Sequence, residues 1–233
     1  MKSKTIGEIV TMDGRTARVF NKFGLDFCCS GDVTIESACL DKGLDIQEVL
    51  VDIQSLMNNG VKQDNLFNEM SLDRLIQYIC VHHHQYIRDI APAIAKFTDK
   101  VAKVHGKNYP NTVQIASLFG ALKLELEQHM LKEERILFPY ITSMVQESRC
   151  LGPFTEGPIS VMLLEHDAAG DILKKLRILS EDYNLPADAC NTFRAAYTNL
   201  ESFEEDLHMH IHLENNILFP KAIDLEKSLL EKA

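Results

Sequence analysis

No stretch of this 233-residue sequence is both apolar and long enough to cross a bilayer, which speaks against a protein built on transmembrane helices. A surplus of basic charge is missing too. Lys and Arg total 24 against 34 Asp and Glu, a formal net charge of −10, so neither nucleic acid nor an anionic membrane is expected as a partner. The opening residues, MKSKTIGEIVTMDG, lack the long apolar core of a secretory signal. With six cysteines only, that predicts reduced thiols in a cytoplasm rather than a disulfide framework. Tryptophan is absent, which excludes no function. Strand-type alternation of apolar and polar residues is scarce, which argues against a β or mixed fold.

What is present is helical periodicity. The first sixty residues read as short helices punctuated by glycine, with box-like starts at Thr5–Glu8 and Asp45–Glu48 and a stop at Gly24. A polar run over 58–70, NNGVKQDNLFNEM, reads as a linker. Four long amphipathic patterns follow, at about 71–105, 111–147, 158–182 and 188–231. The fold expected is all-α: a small helical domain over 1–60, then a four-helix bundle over 70–233. Pro92, Pro139 and Pro220 should kink their helices or end them early.

Two of the four patterns carry a histidine and a glutamate where core is expected. HMLKEERILFP (129–139) puts His129 and Glu133 one turn apart, on a stripe with Leu122, Leu126, Ile136 and Leu137. HIHLENNILFP (210–220) repeats it: His210 and Glu214 match, and so does the closing Leu-Phe-Pro. An isolated H-x-x-x-E on an acidic helix is ordinarily a surface pair. A buried carboxylate, in contrast, needs a compensating charge, and two copies 81 residues apart suggest a duplicated metal site.

Duplication locates the remaining ligands. His166, amid core-spaced Ile159, Met162, Leu163, Ala169 and Leu173, lies 44 residues before His210, and His84 lies 45 before His129. Each half then supplies one histidine from its first helix and a His/Glu pair from its second. Four imidazoles and two carboxylates suit two iron or manganese ions. Six protein ligands for two ions favour bridging glutamates, with solvent-derived oxygen filling other positions. Within the run His82-His83-His84, helical periodicity slightly favours His83 and the repeat interval favours His84. His208 and His212 face away from His210 and read as solvated. His105 reads as structural; Glu125 and Glu165 read as carboxylates that orient a ligand histidine or, the favoured reading, as surface charge. Asp-Phe-Cys-Cys-Ser-Gly (26–31) leaves two readings open for Cys28 and Cys29: buried small hydrophobes, or redox and metal-transfer thiols. The other four cysteines read as ordinary.

DFCCSG in a small N-terminal domain, followed by HHxYxR, KVHG, HMxKEExxLFP, EHDxAG and HxxLENNxLFP, resembles the repair-of-iron-centres proteins over nearly the whole chain. These are hemerythrin-like di-iron proteins that restore iron–sulfur clusters after nitrosative or oxidative damage. The resemblance implies His84, His129, His166 and His210 as imidazole ligands, and Glu133 and Glu214 as bridges between two non-haem irons with an oxo or hydroxo bridge. It also implies iron–sulfur proteins as clients and NO or O2 as small ligands; a homodimer is compatible with it. The extra histidines at 82, 83, 208 and 212 depart from the pattern. Two other readings use the same centre: a hemerythrin-like carrier or sensor of O2 or NO, and an NO or O2 reductase. Whether the chain is an enzyme stays open at this point.

Overall fold

The computed structural model describes residues 1–58, 66–150 and 152–232. Among them no strand occurs, and none of the helices is long and apolar enough to cross a membrane. Most of the linker expected at 58–70 lies outside the described residues; of the remainder, Leu66–Glu69 forms a helical turn. The chain divides into two compact units. One comprises residues 1–76, 141–156 and 208–233, the other 77–140 and 157–207.

The first unit holds the short helices: α1 (Ile6–Met12), α2 (Ala17–Lys22), α3 (Ile35–Asp41), α4 (Ile46–Asn58) and α5 (Leu66–Glu69). The capping box at α1 is present, with Thr5 Oγ1 accepting from Glu8 N–H and Glu8 Oε2 accepting from Thr5 N–H. Asp45 accepts from Gln47 N–H at 2.8 Å to start α4. Gly24, at φ +63°, provides the left-handed residue after α2. Ile6, Ile9, Phe20, Phe27, Ile35, Val49 and Ile53 are fully buried here, as are Ile217, Leu218, Phe219 and Ala222 from the other end of the chain. Burying that apolar set is what holds so short a group of helices in place. Glu226, also buried, accepts from Phe154 N–H, Thr155 N–H and Thr155 Oγ1, satisfying amides at the start of the helix that begins at Glu156.

The second unit is a bundle of four helical segments. They come from α6 (Leu72–Ile79) with α7 (Gln85–His105), α8 (Asn111–Lys132), α10 (Glu156–Leu179) and α11 (Asn191–Leu213); α9 (Phe138–Glu147) and α12 (Phe219–Leu230) continue the second and fourth rods. Phe119 of α8 meets Phe203 of α11 edge-on at 5.2 Å between ring centres, and Tyr86 of α7 stacks on Phe203 at 6.4 Å. Arg177 of α10 pairs with the buried Glu204 of α11 at 3.0 Å.

None of the three prolines ends its helix: helical residues run on to His105, Glu147 and Leu230. The rods instead contain π-helical turns at Cys80–His84, Glu133–Leu137 and Glu214–Leu218. Gln85, Phe138 and Phe219 donate their N–H to the carbonyl five residues back, at Cys80, Glu133 and Glu214. Directly before Pro139 and Pro220, the wider turn relieves the crowding a proline ring imposes on the preceding carbonyls. Pro92 lies too far past the first π turn to have this effect.

Candidate metal centre

All three π turns carry residues expected from the sequence as ligands: His84 in the first, Glu133 in the second and Glu214 in the third. His129 lies in the last turn of α8 and His166 sits midway along α10. In the second unit, His84 Nε2 lies 3.4 Å from Glu133 Oε2, and His129 Nε2 lies 3.3 Å from the same oxygen. His129 and His166 bring their Nε2 atoms to 3.1 Å. Two ring nitrogens at that separation repel unless a proton or a cation lies between their lone pairs. Glu133 and His84 are wholly buried, and His129 and His166 nearly so. Burying a carboxylate among imidazoles is costly without positive charge at their meeting point.

The opposite edge of two of these rings is tied down. His84 Nδ1 lies 2.7 Å from Glu134 Oε1, and both Glu134 oxygens accept from Arg88 Nη2 at 2.8 Å. His129 Nδ1 lies 2.9 Å from Glu165 Oε2, and Lys132 pairs with the same carboxylate. A carboxylate only accepts, so Nδ1 carries the proton and Nε2 of the neutral ring is left as the metal-binding nitrogen. Burial would raise the Glu134 carboxyl, but its bonds to His84 and Arg88 outweigh this and hold it below the usual range. At Glu165, burial is likewise outweighed, by Lys132 and His129. Both carboxylates therefore stay ionised. Phe138, from the first Leu-Phe-Pro, stacks on the His84 ring at 5.7 Å, which gives that motif a local purpose.

In the first unit, His210 Nε2 lies 3.1 Å from Glu214 Oε1, with both residues wholly buried. The arrangement repeats that of His129 and Glu133 one turn apart. Of the six expected ligands, the structure thus groups His84, His129, Glu133 and His166 in one unit and pairs His210 with Glu214 in the other.

His83, which periodicity favoured, turns elsewhere: its Nδ1 faces Asp206 Oδ1 at 3.0 Å, and its ring meets Tyr78 edge-on at 5.8 Å. Glu165, for which surface charge was favoured over a ligand-orienting role, is the partner of His129. Glu134 and Arg88 were not anticipated at all, although Arg88 stands one turn after His84 and Glu134 adjoins Glu133. Glu125 is exposed, as expected.

His212 is a correction. Expected in solvent, it is 1% exposed. Its Nε2 lies 3.3 Å from Thr11 Oγ1, its Nδ1 lies 3.1 Å from Asn216 Nδ2, and Phe27 packs against its ring at 5.8 Å. Burial pushes its pKa down to about 4, so it is neutral at pH 7. His208 is half-buried, 5.9 Å from the same phenyl ring. The face opposite His210 is therefore a packing surface for the DFCCSG loop. Asn215 donates to Cys28 O, and Asn216 donates to Phe27 O and Cys28 O. Within that loop the Cys28 and Cys29 sulfurs stand 3.7 Å apart, unbonded, and Asp26 accepts from Cys28 Sγ and Cys29 N–H. The Cys29 thiol and burial together push the Cys28 thiol well up, so Cys28 is a protonated thiol at neutral pH.

A helical bundle with buried His/Glu pairs, and with His84 and His129 each backed by a carboxylate, defines a hemerythrin-like metal-binding protein. The family model described as "Hemerythrin HHE cation binding domain" matches residues 75–222, and one described as a domain of unknown function (DUF542) matches residues 2–57. The fold class is accordingly an all-α, hemerythrin-like four-helix bundle preceded by a small helical domain. Proteins called "Iron-sulfur cluster repair protein YtfE" are similar throughout: 35% identical in Enterobacter sp. (strain 638), 37% in Musicola paradisiaca (strain Ech703) and 36% in Yersinia pestis (strain Pestoides F). Each alignment covers 95% of this chain and 97% of the relative. The chain belongs to the hemerythrin-like iron–sulfur cluster repair family.

Proposed function

We propose that this protein repairs iron–sulfur clusters damaged by nitrosative or oxidative stress. His84, His129, Glu133, His166, His210 and Glu214 would hold two non-haem iron ions, with Glu133 and Glu214 as the shared carboxylates and a solvent-derived oxo or hydroxo group between them. The observation that carries the reading is the convergence of His84 and His129 on one Glu133 oxygen, while Glu134 and Glu165 hold both Nδ1 atoms. That donor set of nitrogen and oxygen, without thiolate, suits iron.

Iron in this reading is cargo as well as a resident ion. Six protein ligands for two ions leave positions where a competing ligand can enter, and that is the route by which iron leaves. The clients are iron–sulfur proteins in a cytoplasmic compartment. Cys28, whose carbonyl is held by Asn215 and Asn216, and Cys29 beside it would act as docking or redox thiols. Elemental analysis and the optical spectrum should show two irons per chain. Mixing the reduced protein with an apo cluster protein, sulfide and reductant should rebuild the cluster as iron leaves the donor. If iron stays bound through repeated NO or O2 binding and no cluster forms, the carrier or sensor reading replaces this one.

A further inference from the structure

Cys190 stands immediately before α11 and is the most open of the cysteines, the other five being buried or half-buried. Its Sγ lies 3.3 Å from His105 Nε2. His105 ends α7, far from the metal centre: at the helical rise, the 21 residues separating it from His84 span about 30 Å. The His105 ring packs against Phe193, at 5.4 Å, and Tyr109, at 6.5 Å, and those two rings meet each other edge-on at 5.8 Å. Tyr109 is fixed in turn by donating to Asp188 Oδ1 at 2.6 Å. A nucleophile, a base within reach and groups that orient the base are thus assembled in one place. The amides of the first turn of α11 add N–H dipoles directed at the sulfur.

Burial and the neighbouring carboxylate of Asp45 push the Cys39 thiol up, and the Cys28 thiol is pushed up more strongly. At Cys190 the direction is reversed, first by the Phe193 amide and then by His105. The titratable groups facing it are His105 from α7, with Tyr109 and Asp188 behind.

We propose that Cys190, with His105 as its base, is a site of S-thiolation by low-molecular-weight disulfides. Its sulfur attacks one sulfur of the disulfide; the new S–S bond forms as the old one breaks. The departing thiolate takes up a proton, balancing the one that Cys190 gives up through His105. One thiol and one disulfide yield one mixed disulfide and one thiol, with no further oxidant. The site is independent of the metal reading.

The test uses the full-length protein, exposed to oxidised glutathione, with adducts located by peptide mass mapping across a pH series. The adduct should form first at Cys190, with a rate midpoint below that of free cysteine. His105→Phe, which keeps the ring packing, should slow the reaction at neutral pH by roughly tenfold and move the midpoint up. His105→Gln, as the second variant, should do the same, and circular dichroism checks that both fold. A first adduct at any other cysteine overturns the proposal. So does a fast Cys190 with the midpoint of free cysteine and indifference to His105, since exposure alone would then explain it.

Discussion

Glu134 and Glu165 touch no proposed iron position, yet they set the tautomer and direction of His84 and His129. Replacing either by Gln keeps the size and loses the charge. Each change should weaken metal retention by about 10- to 100-fold, measured by competition with a chelator, while helicity stays constant. A variant that holds metal as the parent does would show these carboxylates to be ordinary surface partners. Glu133→Ala and Glu214→Ala should behave differently: each should lose both metals together, because each carboxylate is proposed to bridge. One iron retained at full occupancy would rule out bridging by that residue.

At the scale of elements, the π turns explain why helical periodicity pointed at His83, which faces Asp206, and not at His84, which faces Glu133. The turn at Cys80–His84 inserts one residue relative to an α-helix. The buried stripe of Leu75 and Ile79 before it is therefore out of phase with Ile87, Ala91 and Ile94 after it. The repeat interval does not depend on helical phase: 45 residues separate His84 from His129 and 44 separate His166 from His210. Close packing is the second element-scale feature. A methyl on Gly31 would meet the Asn216 side chain and lie 2.7 Å from Phe27 O, and one on Gly7 would lie 2.9 Å from Gly31 O. Gly31→Ala should cost about 1–3 kcal/mol by thermal unfolding. Adding Asn216→Ala should not restore it, because the Phe27 carbonyl remains in the way. Full rescue by the double variant would mean that the side chain alone sets the limit.

For the molecule as a whole, residues 70–233 expressed alone should fold and keep metal, since every proposed ligand lies in them. Their melting temperature should fall below that of the full chain. His212, Ile217 and Phe219 share a core with Ile6, Phe20 and Phe27, and the fragment would expose it. Loss of metal from the fragment would show that the N-terminal helices are needed to shape the ligand-bearing end of the fourth rod. The all-α class, the four helical patterns and the six candidate ligands were legible in the sequence. Amphipathic spacing and an internal repeat are local or periodic properties, and the chain writes them out directly. Which way His83 turns, that His212 is buried, that Glu165 and Glu134 back the histidines, and that Cys190 meets His105 were decided only by tertiary structure. Each depends on residues dozens to hundreds of positions apart being brought within a few ångströms, and no periodicity in the sequence encodes that approach.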